Sequence, residues 1–247
     1  MKLSVIIPFY KELELIDRAV NSVLVNGSSL EEVEILICND GPFAEEQIRC
    51  HLGPGGNSIT RVLLNQHTKG PGGARNTGLN AATGDLVAFL DADDFWFEGK
   101  VDAQVSAIEQ GATFVATAYQ FDTGHTVVLP PSSINIPIDV FLYRGIGTST
   151  VMLTKGLLSN IRFKDIRFAQ DIDCWYALAC SPIFRYKAIK DCFVEYSTGG
   201  STKNKWVQMK SLYKVLRINK ISLRTRLRVM ASYIVSGICN HYIRTKI

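Results

Sequence analysis

Five apolar residues, Leu86-Val87-Ala88-Phe89-Leu90, run straight into Asp91-Ala92-Asp93-Asp94. A short unbroken apolar run reads as a strand buried on both faces, so it belongs in a helix-covered parallel sheet. The carboxylates then fall where that strand leaves the core. Three of them within four residues repel one another, and a cleft keeps them only if something positive balances them. A divalent cation on a diphosphate fits, because hard cations take carboxylate and phosphate oxygens together. The competing reading is a helix cap, with Asp93 or Asp94 starting a helix through Lys100-Val101.

The preceding residues alternate between strand and helix signals. A strand over 4–8 is followed by Leu13, Ile16, Ala19, Val20, Val23 and Leu24 at helical spacing. A second strand over 33–38 closes in the turn Asn39-Asp40-Gly41-Pro42. A short helix over 47–52, a turn over 53–57, a strand over 60–65, a glycine-rich loop over 67–73 and a helix over 74–82 complete the half. Strands alternating with helices across short links imply a parallel sheet with crossover helices. Ligands of such sheets bind at the strands' carboxyl ends, where residues 8–10, 39–41 and 91–94 converge. The second half is less regular: strands over 113–118, 150–153 and 193–197, and helices over 139–142 and 171–179.

Composition excludes several classes. At 47% hydrophobic, 247 residues build a packed core. No run of about 18 apolar residues occurs, so no simple membrane-spanning helix is expected. The first residues read as a strand and not a signal peptide. Six cysteines without a CxxC pair and four scattered histidines point to a reduced, cytoplasmic protein without zinc. Lys69-Gly70-Pro71-Gly72-Gly73 lacks the Gly-Lys-Ser/Thr ending of a Walker loop, and no GxGxxG follows the first strand. Net charge is +4, but unevenly spread. Residues 196–247 hold 11 Lys or Arg and no acid, while the first 195 are net −7. Such a tail seeks a polyanion, a lipid surface or nucleic acid.

These motifs resemble glycosyltransferase family 2. The opening Ser4-Val5-Ile6-Ile7-Pro8-Phe9-Tyr10 and Glu34-Ile35-Leu36-Ile37-Cys38-Asn39-Asp40-Gly41 are similar to its first two strands, with Asn39 in place of an acid. Gly72-Gly73-Ala74-Arg75-Asn76-Thr77-Gly78 resembles its middle motif and Asp91-Ala92-Asp93-Asp94 its metal motif. Gln170-Asp171 resembles its Glu-Asp pair, with Gln for Glu. The match is specific over 3–101 and looser over 145–203. The resemblance implies a GT-A-like, Rossmann-related, mostly parallel sheet flanked by helices, over 1–203. Its nucleotide-binding half would be 1–101 and its acceptor half 102–203, followed by a basic helical extension over 204–247.

The resemblance also assigns roles. Pro8, Tyr10 and Glu12 would frame the nucleoside, Asp40 would meet uracil, and Asp91 with Ala92 would face ribose and donor sugar. Asp93 would hold Mn²⁺ or Mg²⁺ on the diphosphate of a UDP-sugar. Asp171 would be the general base, with Asp173 as runner-up. Arg75, after two glycines, suits donor phosphates or an ion pair with the acidic quartet. Lys203 belongs to an expected flap over the diphosphate. The acceptor would be a saccharide, lipid-linked in bacterial surface polysaccharide synthesis. The basic tail, with helices over 206–218 and 227–243, would dock peripherally on the inner face of the cytoplasmic membrane or pack on the domain; a lipid surface is favoured over nucleic acid. Two rivals stay open. One is an inactive saccharide- or nucleic-acid-binding module, which Asn39 and Gln170 keep alive. The other is a nucleotidyltransferase, disfavoured because Phe9-Tyr10-Lys11-Glu12 replaces a glycine-rich loop.

Overall fold

The computed structural model describes residues 1–26, 30, 32–124, 126–143, 145–166, 168–198 and 205–244. In chain order the first half holds β1 (Lys2–Phe9), α1 (Leu13–Asn26), β2 (Glu32–Asn39), α2 (Glu45–Arg49), α3 (Pro54–Ile59), β3 (Thr60–Leu64), α4 (Pro71–Ala81), β4 (Leu86–Phe89), β5 (Phe95–Trp96) and α5 (Lys100–Glu109). The second holds β6 (Phe114–Phe121), β7 (Val127–Val128), α6 (Asp139–Leu142), a 3-10 turn (Thr148–Thr150), β8 (Val151–Thr154), α7 (Lys155–Leu158), α8 (Gln170–Ala179), β9 (Tyr186–Tyr196), α9 (Lys205–Ile218) and α10 (Leu223–Arg244).

The described strands join one sheet in the order β3-β2-β1-β4-β8-β6-β9-β5, with β7 beside β6. Its long pairings, β1 with β2 and with β4, β2 with β3, and β6 with β9, are parallel. β8 enters antiparallel to both β4 and β6 and so welds the two halves. Period-2 alternation sends Val5, Ile7, Ile35 and Ile37 to a core under α1 and α5. Ile6, Leu36, Phe89 and Phe114 go to a second core shared with α4 and α8. The sheet is thus covered on both faces, as its apolar strands require.

Two expectations change. Residues 53–57 form most of α3 instead of a turn: Pro54 supplies a helix-compatible φ at its start, and Gly56 lies against Val20 of α1, leaving no room for a Cβ. The late strand is β9, eleven residues long instead of five. Its alternation is faint because only Val194 is fully buried along it.

The basic tail folds back onto the body. Leu212, Val215 and Leu216 of α9 and Val229 of α10 pack with Phe141 of α6 and with Ile166, and Ile172 and Tyr176 of α8 border that cluster. Burying each Leu or Val is worth about 1.5–3 kcal/mol, enough to seat the hairpin. Lys210, Lys214, Arg217, Arg224 and Arg228 stay exposed. Trp206, Leu223, Leu227 and Ile234 are exposed beside them. No described helix is long and apolar enough to cross a membrane.

Candidate active site

The carboxyl ends of β1, β2 and β4 lie side by side, and each loop leaving them is tied down. The Asp40 N–H donates to the Phe9 carbonyl at 2.8 Å. A Cβ on Gly41 would sit 1.8 Å from the Tyr10 carbonyl oxygen, so glycine alone lets these two loops touch. Asn39 is buried; its side chain accepts from the Gly41 N–H at 2.9 Å and donates to the Phe43 carbonyl at 2.6 Å. An Asp at 39 could accept but not donate, which explains the amide. Asp40 accepts from Asn65 Nδ2 at 2.6 Å and from the Gly70 N–H at 2.7 Å, holding the glycine-rich loop. Glu12 accepts from the Tyr10 and Lys11 N–H groups, and Tyr10 stands exposed above them.

The acidic quartet caps no helix. Gly99, in the left-handed region at φ 86°, precedes α5 instead. Asp94 is buried and accepts from the Ser149 hydroxyl at 2.5 Å and the Ser197 N–H at 3.0 Å. The Ser149 oxygen also accepts from the Asp91 N–H at 3.1 Å, and the Ser149 N–H donates to the Tyr196 hydroxyl at 2.9 Å. Trp96 Nε1 closes the set on the Ser149 carbonyl at 2.9 Å. One serine therefore fixes the acidic loop, β5 and the end of β9. Ser149→Ala should lower stability by about 2 kcal/mol, because Asp94 loses a partner while staying buried. Thermal melting checks this, with Tm expected to fall roughly 4–8 °C.

Arg75 is buried on α4 and meets Asp91 at 2.5 Å. Its guanidinium lies 5.4 Å from the centre of the Phe163 ring, and Asn76 clamps Phe163 by exchanging hydrogen bonds with its backbone. Burial pulls Arg75 down, but the Asp91 carboxylate outweighs it and the guanidinium is held above its ordinary value. Asp93 is raised too, which here disfavours its charged form. Burial raises it first, then the Asp91 charge, with a smaller push from Glu12. Burial raises Asp94 well above the carboxylate range, again with Asp91 adding. No ion pair reaches Asp93 among the described residues. A half-buried carboxylate pressed by two others suits a hard divalent cation completed by phosphate oxygens. The described residues hold no group of three His, Cys, Asp or Glu side chains that would bind a metal unaided.

A cavity of about 520 Å³ opens beside this cluster, and Arg75, Asp91 and Asp171 all line it. Burial raises Asp171; the Ile172 N–H and Arg75 pull it back, while Asp91 adds to the rise. Asp173 faces away from the cavity. It is buried, pairs with Lys164 at 3.0 Å and accepts from Asn219 at 2.6 Å, so it anchors α9. Gln170 donates through Nε2 to the Ile166 carbonyl, a bond that a glutamate carboxylate cannot make. Pro8, Tyr10, Glu12, Asp40, Ala92 and Asp93 share the strand ends but are not among the cavity's lining residues. Lys203 lies outside the described residues. Sequence reasoning missed Ser149, which carries no motif, and the far wall of the cavity. That wall is Gln208, Ser211, Leu212 and Tyr233 of α9 and α10.

Known proteins are similar to this chain in sequence and in fold. In an alignment of 246 positions that covers 96% of this chain and 94% of the relative, the chain is 28% identical to UDP-Glc:alpha-D-GlcNAc-diphosphoundecaprenol beta-1,3-glucosyltransferase WfgD of Escherichia coli. The crystal structure of S. aureus TarS 1–349 in complex with UDP-GlcNAc matches at TM-score 0.67 and 20% identity, covering 95% of this chain and 72% of that one. Mannosyltransferase PcManGT from Pyrobaculum calidifontis, in complex with GDP-Man and Mn²⁺, matches at 0.63 and 14%, covering 96% and 75%. At these identities the two structures bear out the GT-A-like fold alone. The Glycosyl transferase family 2 profile spans residues 4–193. Over three-quarters of its length, then, this chain belongs to glycosyl transferase family 2, and it is a glycosyltransferase.

Proposed function

We propose that this chain moves a sugar from a UDP-sugar to a saccharide carried on a lipid diphosphate, with inversion, in bacterial surface polysaccharide assembly. The observation that carries the reading is the meeting of Arg75, Asp91 and Asp171 at one cavity. The relative's printed activity makes UDP-glucose the first donor to try and a GlcNAc-diphospholipid the first acceptor.

In this reading the acceptor hydroxyl oxygen bonds to the donor's anomeric carbon as the bond to the diphosphate breaks. Asp171 takes the hydroxyl proton, a task its raised affinity for protons suits. Arg75 orients Asp91, which faces ribose and donor sugar. Pro8, Tyr10, Glu12, Asp40 and Ala92 frame the nucleoside, with Asp40 also keeping the 65–70 loop in place. Asp93 holds Mn²⁺ or Mg²⁺, which supplies charge neutralisation on the departing diphosphate. Lys203 supplies positive charge to the diphosphate. The exposed basic and apolar side chains of α9 and α10 meet an anionic membrane, at the inner face of the cytoplasmic membrane.

The inactive-module alternative loses its support, since Asn39 and Gln170 each make a bond that an acid could not. The nucleotidyltransferase alternative meets a tight turn closed by Glu12 where it needs a phosphate loop. Calorimetric titration of UDP with and without Mn²⁺ tests the reading. Metal-dependent binding should weaken about 100-fold or more in Asp93→Asn, the loss expected with a metal–phosphate contact of several kcal/mol. Equal UDP affinity in both proteins, whatever the metal, would sink it.

A further inference from the structure

The first turns of α4 and α8 meet beside the cavity, and one side chain joins them. A Cβ on Gly72 of α4 would sit 2.5 Å from Gln170 Oε1 and 2.8 Å from its Cδ, so the glutamine amide occupies the space that the glycine leaves. The same amide donates through Nε2 to the Ile166 carbonyl, four residues back. That bond closes a turn whose last residue, Ala169, sits in the left-handed region at φ 59°. Alanine holds such a conformation only where its surroundings impose it. No side chain caps α8 there; the Ala169 carbonyl accepts from the Asp173 N–H at 3.2 Å, and the Gln170 amide ties the turn down. Each helix carries a group of the site close to this joint. Arg75, three residues after Gly72, pairs with Asp91, and Asp171 follows Gln170 directly. Arg75, Asp91, Ala169, Gln170 and Asp171 all line the cavity.

We infer that Gln170 is a positioning residue for the transfer reaction: it locks the first turn of α8 against Gly72 of α4 and so fixes Asp171 relative to Arg75 and Asp91; this rests on the proposed reading of Asp171 as base. The lock needs a donor, because a carboxylate at 170 only accepts and would face the Ile166 carbonyl. It also needs glycine at 72, since a methyl there fits only if the amide end moves and gives up Ile166. Without the lock Ala169 can leave the left-handed region, and the start of α8 turns with it. A base moved by about 1 Å from the proton it takes loses rate steeply, while the strand ends beyond α4 keep their places. The charged and titratable groups around Asp171 are Arg75 and Asp91, Tyr119, Tyr143 and Tyr233 across the cavity, and Asp173 and Cys174 on its own helix. Gln170 adds no charge to them.

Steady-state kinetics with UDP-glucose and an alkyl GlcNAc-diphosphate, beside calorimetric titration of UDP, test the lock. Gln170→Ala and Gly72→Ala should each lower kcat about 10–100-fold, with donor KM and UDP affinity unchanged. In the double variant Gly72→Ala should cost nothing beyond Gln170→Ala, because the amide it displaces is gone. Gly72→Ala places a strong helix former in α4, so it reports even where Gln170→Ala folds poorly. Gln170→Glu should lower kcat and also move the Asp171 carboxyl titration to higher pH, by the like charge beside it. Carboxyl ¹³C spectra follow that titration without turnover, with the resonance assigned by its loss in Asp171→Asn. A glutamine that is merely structural would lower Tm and leave both kcat and the titration alone. Wild-type kcat in both single variants, or losses that simply add in the double one, overturn the lock while an inactive Asp171→Asn upholds the base. A titration that stays put in Gln170→Glu overturns the lock with or without transfer. Full transfer by Asp171→Asn overturns the base reading and the lock with it.

Discussion

Asp171→Asn should cut sugar transfer by about three orders of magnitude while leaving UDP affinity unchanged. A positioned general base contributes roughly 10²–10⁴-fold, and the amide keeps the shape of the carboxyl while losing its basicity. Stability should move the other way. Asp171 is raised in the folded protein chiefly by burial, so its ionised form costs folding free energy at neutral pH. The sign follows from proton binding. Above the raised value both states are ionised and the cost is full; as pH falls through it, the folded protein binds a proton first and the cost fades. An amide at this position never carries that cost, so the variant should melt at or above the wild-type temperature. In the wild type, transfer should rise with pH along a limb above the ordinary carboxylate range. A variant that keeps more than a tenth of wild-type kcat would remove Asp171 from the chemistry.

Arg75→Met carries the largest expected stability effect. The guanidinium is buried and its partner Asp91 is about a third exposed, so the loss sits at the low end for a broken buried pair, about 3 kcal/mol. For a chain of this length that lowers Tm by roughly 6–12 °C. Removing the cation also leaves Asp91 facing Asp93, Asp94 and Asp171 uncompensated, and each of the three is raised by Asp91 already. The alkaline shift of the Asp171 limb should therefore grow in the variant. Arg75→Lys restores charge but not the planar fork, so it should recover part of the stability and less of the activity. Melting curves and pH–rate profiles of the two variants separate packing from charge.

The first half, residues 1–101, was legible because its strands are continuous apolar runs and each ends in an acid or a turn. Leu86–Phe89 and the carboxylates after it are the clearest case. β9 was largely hidden, since an eleven-residue strand with one fully buried side chain shows little alternation. The division of labour between Asp171 and Asp173 was also hidden. Both lie in the first turn of α8, and only tertiary contact turns one to the cavity and the other to Lys164 and Asn219. The seat of the basic tail depends on the face presented by α6 and α8, which local periodicity of α9 does not contain. Ser149 gave no signal at all, because a serine hub is defined by what converges on it.

The cavity wall contributed by α9 and α10 has an evolutionary consequence. The carboxylates that would handle donor and proton come from positions 12–171, whereas this wall is written entirely beyond position 204. Substitution or exchange of the α9–α10 hairpin can reshape what the cavity admits without disturbing a strand of the sheet. Diversification of acceptors among related enzymes then needs no reinvention of the chemistry. It needs only a new pair of helices whose apolar side still fits α6 and α8.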